Sequence, residues 1–182
     1  LARRGAKVVI NDLGGSMDGS GGSSEAAEAV VAEIKAMGGE AIANGGSVSD
    51  RAGAQSMVDD AMNAWGRVDV LINNAGILRD KSFSKMTLDD FDMVVNVHLM
   101  GAAYCAHAVW PIMKAQNYGR ILMTTSPTGL YGNFGQTNYG AAKLGQVGLM
   151  HSLKIEGAKN NIHTNTIAPV AATRMTEDLM PE

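Results

Sequence analysis

Three side chains with fixed spacing could carry out proton chemistry. Tyr139 and Lys143 are four residues apart, about one helical turn, so on a helix their side chains share a face. Ser126 ends an apolar run from Arg120 that predicts a buried strand. A phenol, an ammonium and an alcohol that converge where a strand opens into a loop can move a proton on or off a substrate hydroxyl.

The Tyr139–Lys143 pair by itself is also typical of a surface or half-buried tyrosine. Proton transfer sets a stricter requirement, because a free phenol has a pKa of about 10 and that pKa must fall for the phenol to act as a base near neutral pH. The charge of a lysine one turn away lowers the pKa in part. The pair therefore indicates proton-transfer chemistry only together with other motifs.

Two further motifs follow predicted strands. Asn74, Ala75 and Gly76 come directly after the run 67–73. Small residues there let a flat ligand approach the backbone at the carboxyl end of a strand; an ordinary Asn/Gly turn is the alternative. Asp12 ends the first strand, where its carboxylate can accept hydrogen bonds from both hydroxyls of an adenosine ribose. A loop that simply starts with Asp is the alternative there.

The histidines and the single cysteine are weak signals on their own. His98 lies one turn before Gly101 in a long predicted helix, and a lone histidine on a helix is most often packed or solvated. No set of His, Cys, Asp and Glu has convincing metal-ligand spacing, so we expect no metal site. Cys105, the only cysteine, cannot form an internal disulfide. The same packed or solvated interpretation applies to His107, His151 and His163.

Length and composition predict one globular domain. Of the 182 residues, 46% are hydrophobic, which is enough for a core. The net charge of −3 argues against a nucleic-acid partner, although the site of a polyanionic small molecule can be locally basic. No apolar run approaches the roughly 18 residues of a membrane span, so we expect no membrane partner.

Strand and helix patterns alternate along the chain. Short apolar runs predict strands at residues 7–11, 40–44, 67–73, 121–125 and 162–168. Capping residues and helical spacing predict helices at 23–37, from 49 or 50 to about 65, at 87–116 and at 138–159. Most strands are apolar on both faces, so the pattern predicts an α/β fold with a doubly wound parallel sheet.

Taken together, the motifs resemble the short-chain dehydrogenase/reductase family over essentially the whole chain. They occur in the order Asp12, Asn73–Gly76, Ser126, Tyr139-x-x-x-Lys143 and Asn165–Pro169 with Thr173. A second set of segments is similar to one subgroup, the (3R)-hydroxyacyl-CoA dehydrogenase domains of peroxisomal multifunctional enzymes of type 2 and their bacterial relatives. This second set comprises Asn11–Gly15, Asn74–Asp80, Tyr131–Gln136, Ile162–Pro169 and Arg174–Thr176.

The resemblance implies a single Rossmann-type NAD(P)-binding domain over residues 1–182. It implies an oxidoreductase that transfers a hydride between NAD and a secondary alcohol, which in the subgroup is a (3R)-hydroxyacyl-CoA that becomes 3-oxoacyl-CoA. It also implies a homodimer or homotetramer formed through helices 87–116 and 138–159. The implied location is the bacterial cytoplasm or the eukaryotic peroxisome.

The resemblance further implies a role for each site residue. Tyr139 is the general base in oxidation and the general acid in reduction, Lys143 lowers its pKa and holds the nicotinamide ribose, and Ser126 hydrogen-bonds the substrate oxygen. Asp12 selects NAD over NADP. The remaining implied cofactor contacts are Ser47 and Val48 at the adenine, Asn74, Ala75 and Gly76 along the cofactor, and Pro169 and Thr173 at the nicotinamide amide.

Two departures from the family pattern are relevant. The family usually has Asn before Leu-x-Gly on the long helix, where this chain has His98. We hypothesise that His98 takes over the part of this Asn in a proton relay, and that the pKa of its imidazole lies near neutrality. The family's Gly-rich phosphate loop, its strand and a C-terminal lid do not occur in residues 1–182. The family's strand order then predicts a gap between strands 7–11 and 68–73, so we expect the 182-residue chain to be poorly stable alone.

Two alternatives to this dehydrogenase stay open. A 3-oxoacyl-thioester reductase of fatty-acid synthesis has the same Ser, Tyr and Lys set, but such reductases usually take NADPH and carry a basic or neutral residue near the position of Asp12. A catalytically inactive nucleotide-binding relative is the second alternative. It is disfavoured because Ser126, Tyr139 and Lys143 are all present.

Overall fold

The computed structural model describes residues 1–170. In this range strands and helices alternate, as the apolar pattern predicts. The elements in chain order are β1 (Val8–Asn11), α1 (Glu25–Ala36), β2 (Ala41–Asn44), α2 (Arg51–Trp65), β3 (Val70–Asn73), α3 (Leu88–Val95), α4 (Gly101–Gln116), β4 (Gly119–Thr124), α5 (Pro127–Tyr131), α6 (Thr137–Gly157) and β5 (Ile162–Ile167), with 3₁₀ turns at Ala2–Arg4 and Ala158–Asn160.

The strand pairs within residues 1–170 are all parallel. β1 pairs with β2, and β4 lies between β3 and β5 in a three-stranded sheet. The register places Val70 opposite Arg120 and Gly119 opposite Ile162. Parallel strands need crossover connections, and helices supply them: α1 joins β1 to β2, α3 and α4 join β3 to β4, and α6 joins β4 to β5. The predicted α/β class with a parallel arrangement is confirmed.

The parallel strands form two sheets instead of one. Among residues 1–170 no hydrogen-bonded ladder joins β1 to β3, which confirms the predicted gap between these strands. Val70 and Ile72 on β3 are 47% and 43% exposed although the strand is apolar. Helix α2 links the two sheets, because it contacts β1 and β2 and also packs Val58 into the core of the three-stranded sheet.

The main core lies between the three-stranded sheet and the helices α2 and α4. Met113 and Met123 are completely buried there, next to Ile121 and Ile162. Each side chain of this size contributes about 1.5–3 kcal/mol when it is fully buried. This core holds β4 and its carboxyl end in place, and the carboxyl end of β4 is where the candidate site begins.

Local capping explains where the helices begin. Asp50, not Ser49, caps α2, and its carboxylate accepts a hydrogen bond from the Gly53 amide at 3.0 Å. Thr87 caps α3 in the same way by accepting from the Asp90 amide at 3.1 Å. The short helix α5 is an element that the apolar pattern does not predict, because its five residues are too few to show a period.

The predicted helix at 87–116 contains a wide turn. Helices α3 and α4 follow one another directly, but Asn96–Met100 between them form a π turn, in which the Gly101 amide donates to the Asn96 carbonyl five residues earlier. An insertion of this kind leaves the hydrophobic pattern helical on both sides, so the sequence predicts one uninterrupted helix. His98 lies at the centre of this turn.

The same stretch also has the length and composition of a membrane-spanning helix. By length and composition alone, Leu88–Gln116 could span a bilayer, with a mean hydropathy of 1.2 over its most apolar window, of which 44% is buried inside the protein. From the sequence alone we expect no uninterrupted apolar run of that length. Val94, Val109 and Met113 of this stretch are buried in the protein interior, which is also the pattern of a core helix in a soluble protein.

Candidate active site

The structure brings Ser126, Tyr139 and Lys143 together at the carboxyl end of β4. Ser126 is the N-cap of α5, and its Oγ accepts a hydrogen bond from the Thr128 amide at 3.2 Å. Tyr139 and Lys143 lie one turn apart on α6, with the Lys143 ammonium 5.4 Å from the centre of the Tyr139 ring. The Ser126 hydroxyl lies next to the Tyr139 phenol and lowers its pKa by hydrogen bonding.

Lys143 is buried and held by two hydrogen bonds to β4 and the residue that follows it. Its ammonium donates to the Thr124 carbonyl at 2.6 Å, and its own carbonyl accepts from the Thr125 hydroxyl at 2.7 Å. Only 3% of Lys143 is exposed, and this burial lowers its pKa to about 8. The side chain is therefore still mostly charged at pH 7, and an ammonium has three N–H donors, so two remain for other partners.

The pKa of Tyr139 is raised, which is opposite to the lowering that base catalysis requires. Burial of the phenol is the main cause, the Ser126 hydroxyl opposes it, and the nearby Asp80 carboxylate raises the pKa further. The Lys143 ammonium donates to the Thr124 carbonyl oxygen, which offsets part of its positive charge. The ammonium therefore lowers the Tyr139 pKa less than an unpaired charge would. In the protein alone Tyr139 is thus a neutral phenol, ready to donate a proton.

His98 lies beside this group, and its pKa is not near neutrality. Burial, with only 2% of the residue exposed, and the charge of Lys143 lower the pKa to about 4, so the hypothesis of a near-neutral imidazole is wrong. Its Nε2 lies 2.8 Å from the Ile77 carbonyl oxygen and 3.1 Å from the Ile77 amide nitrogen. The shorter contact, to an oxygen that can only accept, assigns the ring proton to Nε2 and leaves Nδ1 as an acceptor.

Asp12 and the segment after β2 form the candidate adenosine end of the site. Asp12 is exposed just after β1, and its Oδ1 accepts a hydrogen bond from the Gly14 amide at 2.6 Å. Ser47 and Val48 are half-buried in the turn before α2, where Val48 packs so closely on α4 that a Cβ at Gly101 would lie 2.9 Å from its Cγ2.

The segment after β3 forms an exposed strip of small residues. Asn74 accepts a hydrogen bond from the Thr124 hydroxyl at 2.9 Å, and Ala75 and Gly76 are exposed beside it. A Cβ at Gly76 would collide with the His98 ring, so only glycine allows the imidazole at its position. Pro169 is exposed after β5, and Thr173 lies outside the described residues.

These residues fit a nicotinamide dinucleotide. The carboxylate of Asp12 only accepts hydrogen bonds, which matches a ribose diol and opposes a 2′-phosphate. The strip at Ala75 and Gly76 lets a flat ligand approach the backbone, and Lys143 retains free N–H donors beside it. In residues 1–170 no group of three or more His, Cys, Asp and Glu could hold a metal ion.

Sequence reasoning missed a polar network behind Tyr139. Gln136 is buried and donates to the Asp80 carboxylate at 2.6 Å, while its Oε1 accepts from Thr128 and Asn133 at 3.0 Å each. Partial desolvation raises the pKa of Asp80. The signal was present in the run of polar residues at positions 136–138, where α6 begins, but only the tertiary structure shows that they join α5 and α6 to the segment after β3.

Comparisons with known proteins place the chain in a family. The family model described as "short chain dehydrogenase" matches residues 1–182. The chain is 58% identical to peroxisomal multifunctional enzyme A of Dictyostelium discoideum over 181 residues, which is 100% of this chain and 40% of that protein. It is 57% identical to the peroxisomal hydratase-dehydrogenase-epimerase of Saccharomyces cerevisiae over 180 residues, which is 99% of this chain and 20% of that protein.

A solved structure has the same fold. The crystal structure of a short chain dehydrogenase from Mycobacterium avium matches with a TM-score of 0.87 and 41% sequence identity, over 100% of this chain and 64% of that chain. The chain therefore spans less than two thirds of the length of each of these relatives.

Proposed function

This chain belongs to the short-chain dehydrogenase family, and from that premise we propose that it oxidises the hydroxyl of a (3R)-hydroxyacyl-CoA with NAD. The convergence of Ser126, Tyr139 and Lys143 at the carboxyl end of β4 is the observation that carries the proposal. The similarity of this chain to a peroxisomal hydratase-dehydrogenase-epimerase supports a hydroxyacyl-CoA as the substrate class. We further propose that residues 1–182 belong to one NAD(P)-binding domain.

Each of the three residues has a defined part in this reaction. In oxidation the Tyr139 phenolate takes the proton of the substrate hydroxyl, and in reduction the phenol returns it to the carbonyl oxygen. Ser126 donates to the same oxygen and stabilises its developing charge. Lys143 remains charged at pH 7, stabilises the phenolate and supplies N–H donors to a ribose. A bound oxidised nicotinamide would supply the hydride acceptor for the carbinol carbon and, before that transfer, a positive charge beside the phenol.

In this proposal Tyr139 carries the transferred proton, and His98 does not act as a near-neutral acid or base. His98 is neutral over the working pH range because its pKa is about 4. It serves as a neutral group that packs against the Tyr139 ring and leaves Nδ1 as an acceptor. The raised pKa of Tyr139 favours the phenol, which is the form that reduction uses.

Asp12 supports NAD as the cofactor. Its exposed carboxylate at the end of β1 suits a ribose with a free 2′-hydroxyl, and the negative charge repels the 2′-phosphate of NADP. The same charge disfavours an NADPH-dependent 3-oxoacyl-thioester reductase, which is the second candidate function. The dehydrogenase and the reductase differ in their cofactor and in the carrier of the acyl group.

The outer face of α6 supports a homodimer or homotetramer. Leu144, Gly148, His151 and Ile155 recur at helical spacing on that face, and the apolar Leu144 and Ile155 are 50% and 78% exposed. Exposed apolar side chains in one row mark an interaction surface. Relatives from a peroxisome and from a bacterium support a peroxisomal location in a eukaryote or a cytoplasmic one in a bacterium.

The decisive experiment follows NADH or NADPH formation by the full-length protein. Both enantiomers of a 3-hydroxyacyl-CoA are supplied, first with NAD and then with NADP. We expect turnover of only the R enantiomer and a preference for NAD. Turnover of 3-oxoacyl thioesters with NADPH alone would instead establish the reductase, and no turnover with any of these substrates would contradict both functions.

A further inference from the structure

The wide turn at Asn96–Met100 needs a reason to be stable. A π turn replaces regular helical hydrogen bonds and therefore costs free energy unless another group satisfies its backbone. The carbonyl of His98, at the centre of the turn, accepts a hydrogen bond from Nε2 of Gln146 at 2.7 Å. The two residues are 48 positions apart, so this bond joins α6 to the turn.

Gln146 is well placed to hold this turn. It is only 1% exposed and lies three residues after Lys143 on α6, so one helix carries the Tyr139–Lys143 pair and the donor to His98. The two segments are in close contact, because a Cβ at Gly145 would lie 2.8 Å from Leu99 Cδ2. In such a tight contact the amide of Gln146 has little freedom to turn away.

The ring of His98 depends on the position of its own backbone. The ring fits against Gly76, bonds the Ile77 backbone through Nε2, and meets the Tyr139 ring edge to face. The charged or titratable groups around it are Lys143 and Tyr139, both on α6. A shift of the turn by a fraction of an ångström would therefore change its contacts with Ile77 and with Tyr139.

We propose that Gln146 is a positioning residue, which fixes the π turn through the His98 carbonyl and thereby sets the His98 ring against Tyr139. Because Tyr139 and Gln146 are both on α6, the bond from Gln146 fixes the distance between His98 and Tyr139. Gln146 touches no reacting atom in this scheme and acts only through His98. Its effect on turnover rests on the proposed function, whereas its effect on the turn does not.

The test replaces Gln146 in the full-length protein and measures the turn directly. In Q146M a side chain of similar length replaces the amide, so the His98 carbonyl loses its donor. Hydrogen exchange, followed by mass spectrometry of peptides that cover residues 96–101, should become at least about 10-fold faster. The rate constant kcat should fall by about 10–100-fold with KM little changed, because small displacements of catalytic groups have effects of this size.

Gln116 provides a matched control. It also donates from its amide to a backbone carbonyl, that of Val68 at 2.7 Å, but at the far end of α4. Q116M should leave both exchange at 96–101 and kcat close to the wild-type values. In a H98A background Q146M should add little to the loss of kcat, because residues that act through each other are not additive.

The outcomes separate the two proposals. Wild-type exchange at 96–101 in Q146M would overturn the role of Gln146, and so would an equal acceleration in Q116M or throughout the chain. If the wild-type protein does not turn over 3-hydroxyacyl-CoA, the proposed function fails and the exchange data alone decide the role of Gln146. If Q146M does not fold, Q146L removes the same amide with a more compact side chain and is held to the same criteria.

Discussion

The imidazole of His98 meets the phenol ring of Tyr139 edge to face, with ring centres 5.1 Å apart and ring planes at 87°. The two residues are 41 positions apart and come from helices on either side of β4 in the chain order. An edge-to-face pair of this kind is stabilising by about 0.5–1.5 kcal/mol. It brings a neutral imidazole next to the phenol that we propose exchanges a proton with substrate.

Removal of the Tyr139 hydroxyl should abolish most of the activity. Tyr139→Phe keeps the ring and its contact with His98 but removes the only phenol at the carboxyl end of β4 in the described part of the chain. We expect kcat to fall by about 10²–10⁴-fold, the usual contribution of a general acid or base, with NADH binding retained. NADH formation and NADH fluorescence titration measure the two quantities.

Tyr118 offers the control for this substitution. Its ring lies 4.3 Å from the guanidinium of Arg120, at the opposite end of β4 from Ser126. Tyr118→Phe also removes one phenolic hydroxyl and should leave turnover unchanged. Full activity in Tyr139→Phe would show that the proton transfer occurs elsewhere.

Asp12 should control the choice of cofactor. Asp12→Ala removes the carboxylate that opposes a 2′-phosphate, so kcat/KM with NAD should fall by about 10–100-fold, the value of one hydrogen bond to a charged group. kcat/KM with NADP should rise. Steady-state kinetics with both cofactors measure the ratio. Asp59→Asn, an exposed change on α2, is the control, and an unchanged NAD/NADP ratio in Asp12→Ala would contradict the assignment.

His98 should make the protein less stable at acid pH. Its pKa is about 4 in the folded protein and 6.5 ordinarily, so between these values the unfolded chain binds a proton that the folded protein does not. The free energy of unfolding therefore falls as the pH falls from 6.5 to 4, by about 3 kcal/mol from this residue. Urea unfolding of wild type and His98→Asn, at several pH values, should show the two free energies converging by that amount.

A histidine on the surface provides the comparison for this measurement. His163 is exposed on β5, and His163→Asn changes the same residue type without opening the interior. Parallel pH profiles for wild type and His98→Asn would refute the acid effect of the buried imidazole.

The row of exposed residues on α6 should hold copies of the chain together. Ile155→Glu places a charge on that row, where Ile155 is 78% exposed, and should shift the protein to monomers. Light scattering coupled to size-exclusion chromatography measures the mass. Val30→Glu, at an exposed apolar position on α1, is the control, and an unchanged mass in Ile155→Glu would exclude this face as the interface.

Much of the fold follows from local sequence patterns. Apolar runs locate five strands, capping residues such as Thr87 locate helix starts, and the alternation of the two predicts parallel strands. The spacing of Tyr139 and Lys143 places them on one helix face, because the helical repeat is a local property. The wide turn at Asn96–Met100 and the short helix α5 escape this reasoning, since neither leaves a periodic signal.

The sequence by itself determined which reactive groups this protein has and which elements carry them. Only the tertiary structure decided their protonation and their partners, because both depend on burial and on contacts between distant segments. Burial lowers the pKa of His98 away from neutrality and raises that of Tyr139, whereas the spacing of Tyr139 and Lys143 suggested a lowered pKa for the phenol. The bond from Gln146 to the His98 carbonyl is of the same kind, since it joins positions 48 residues apart.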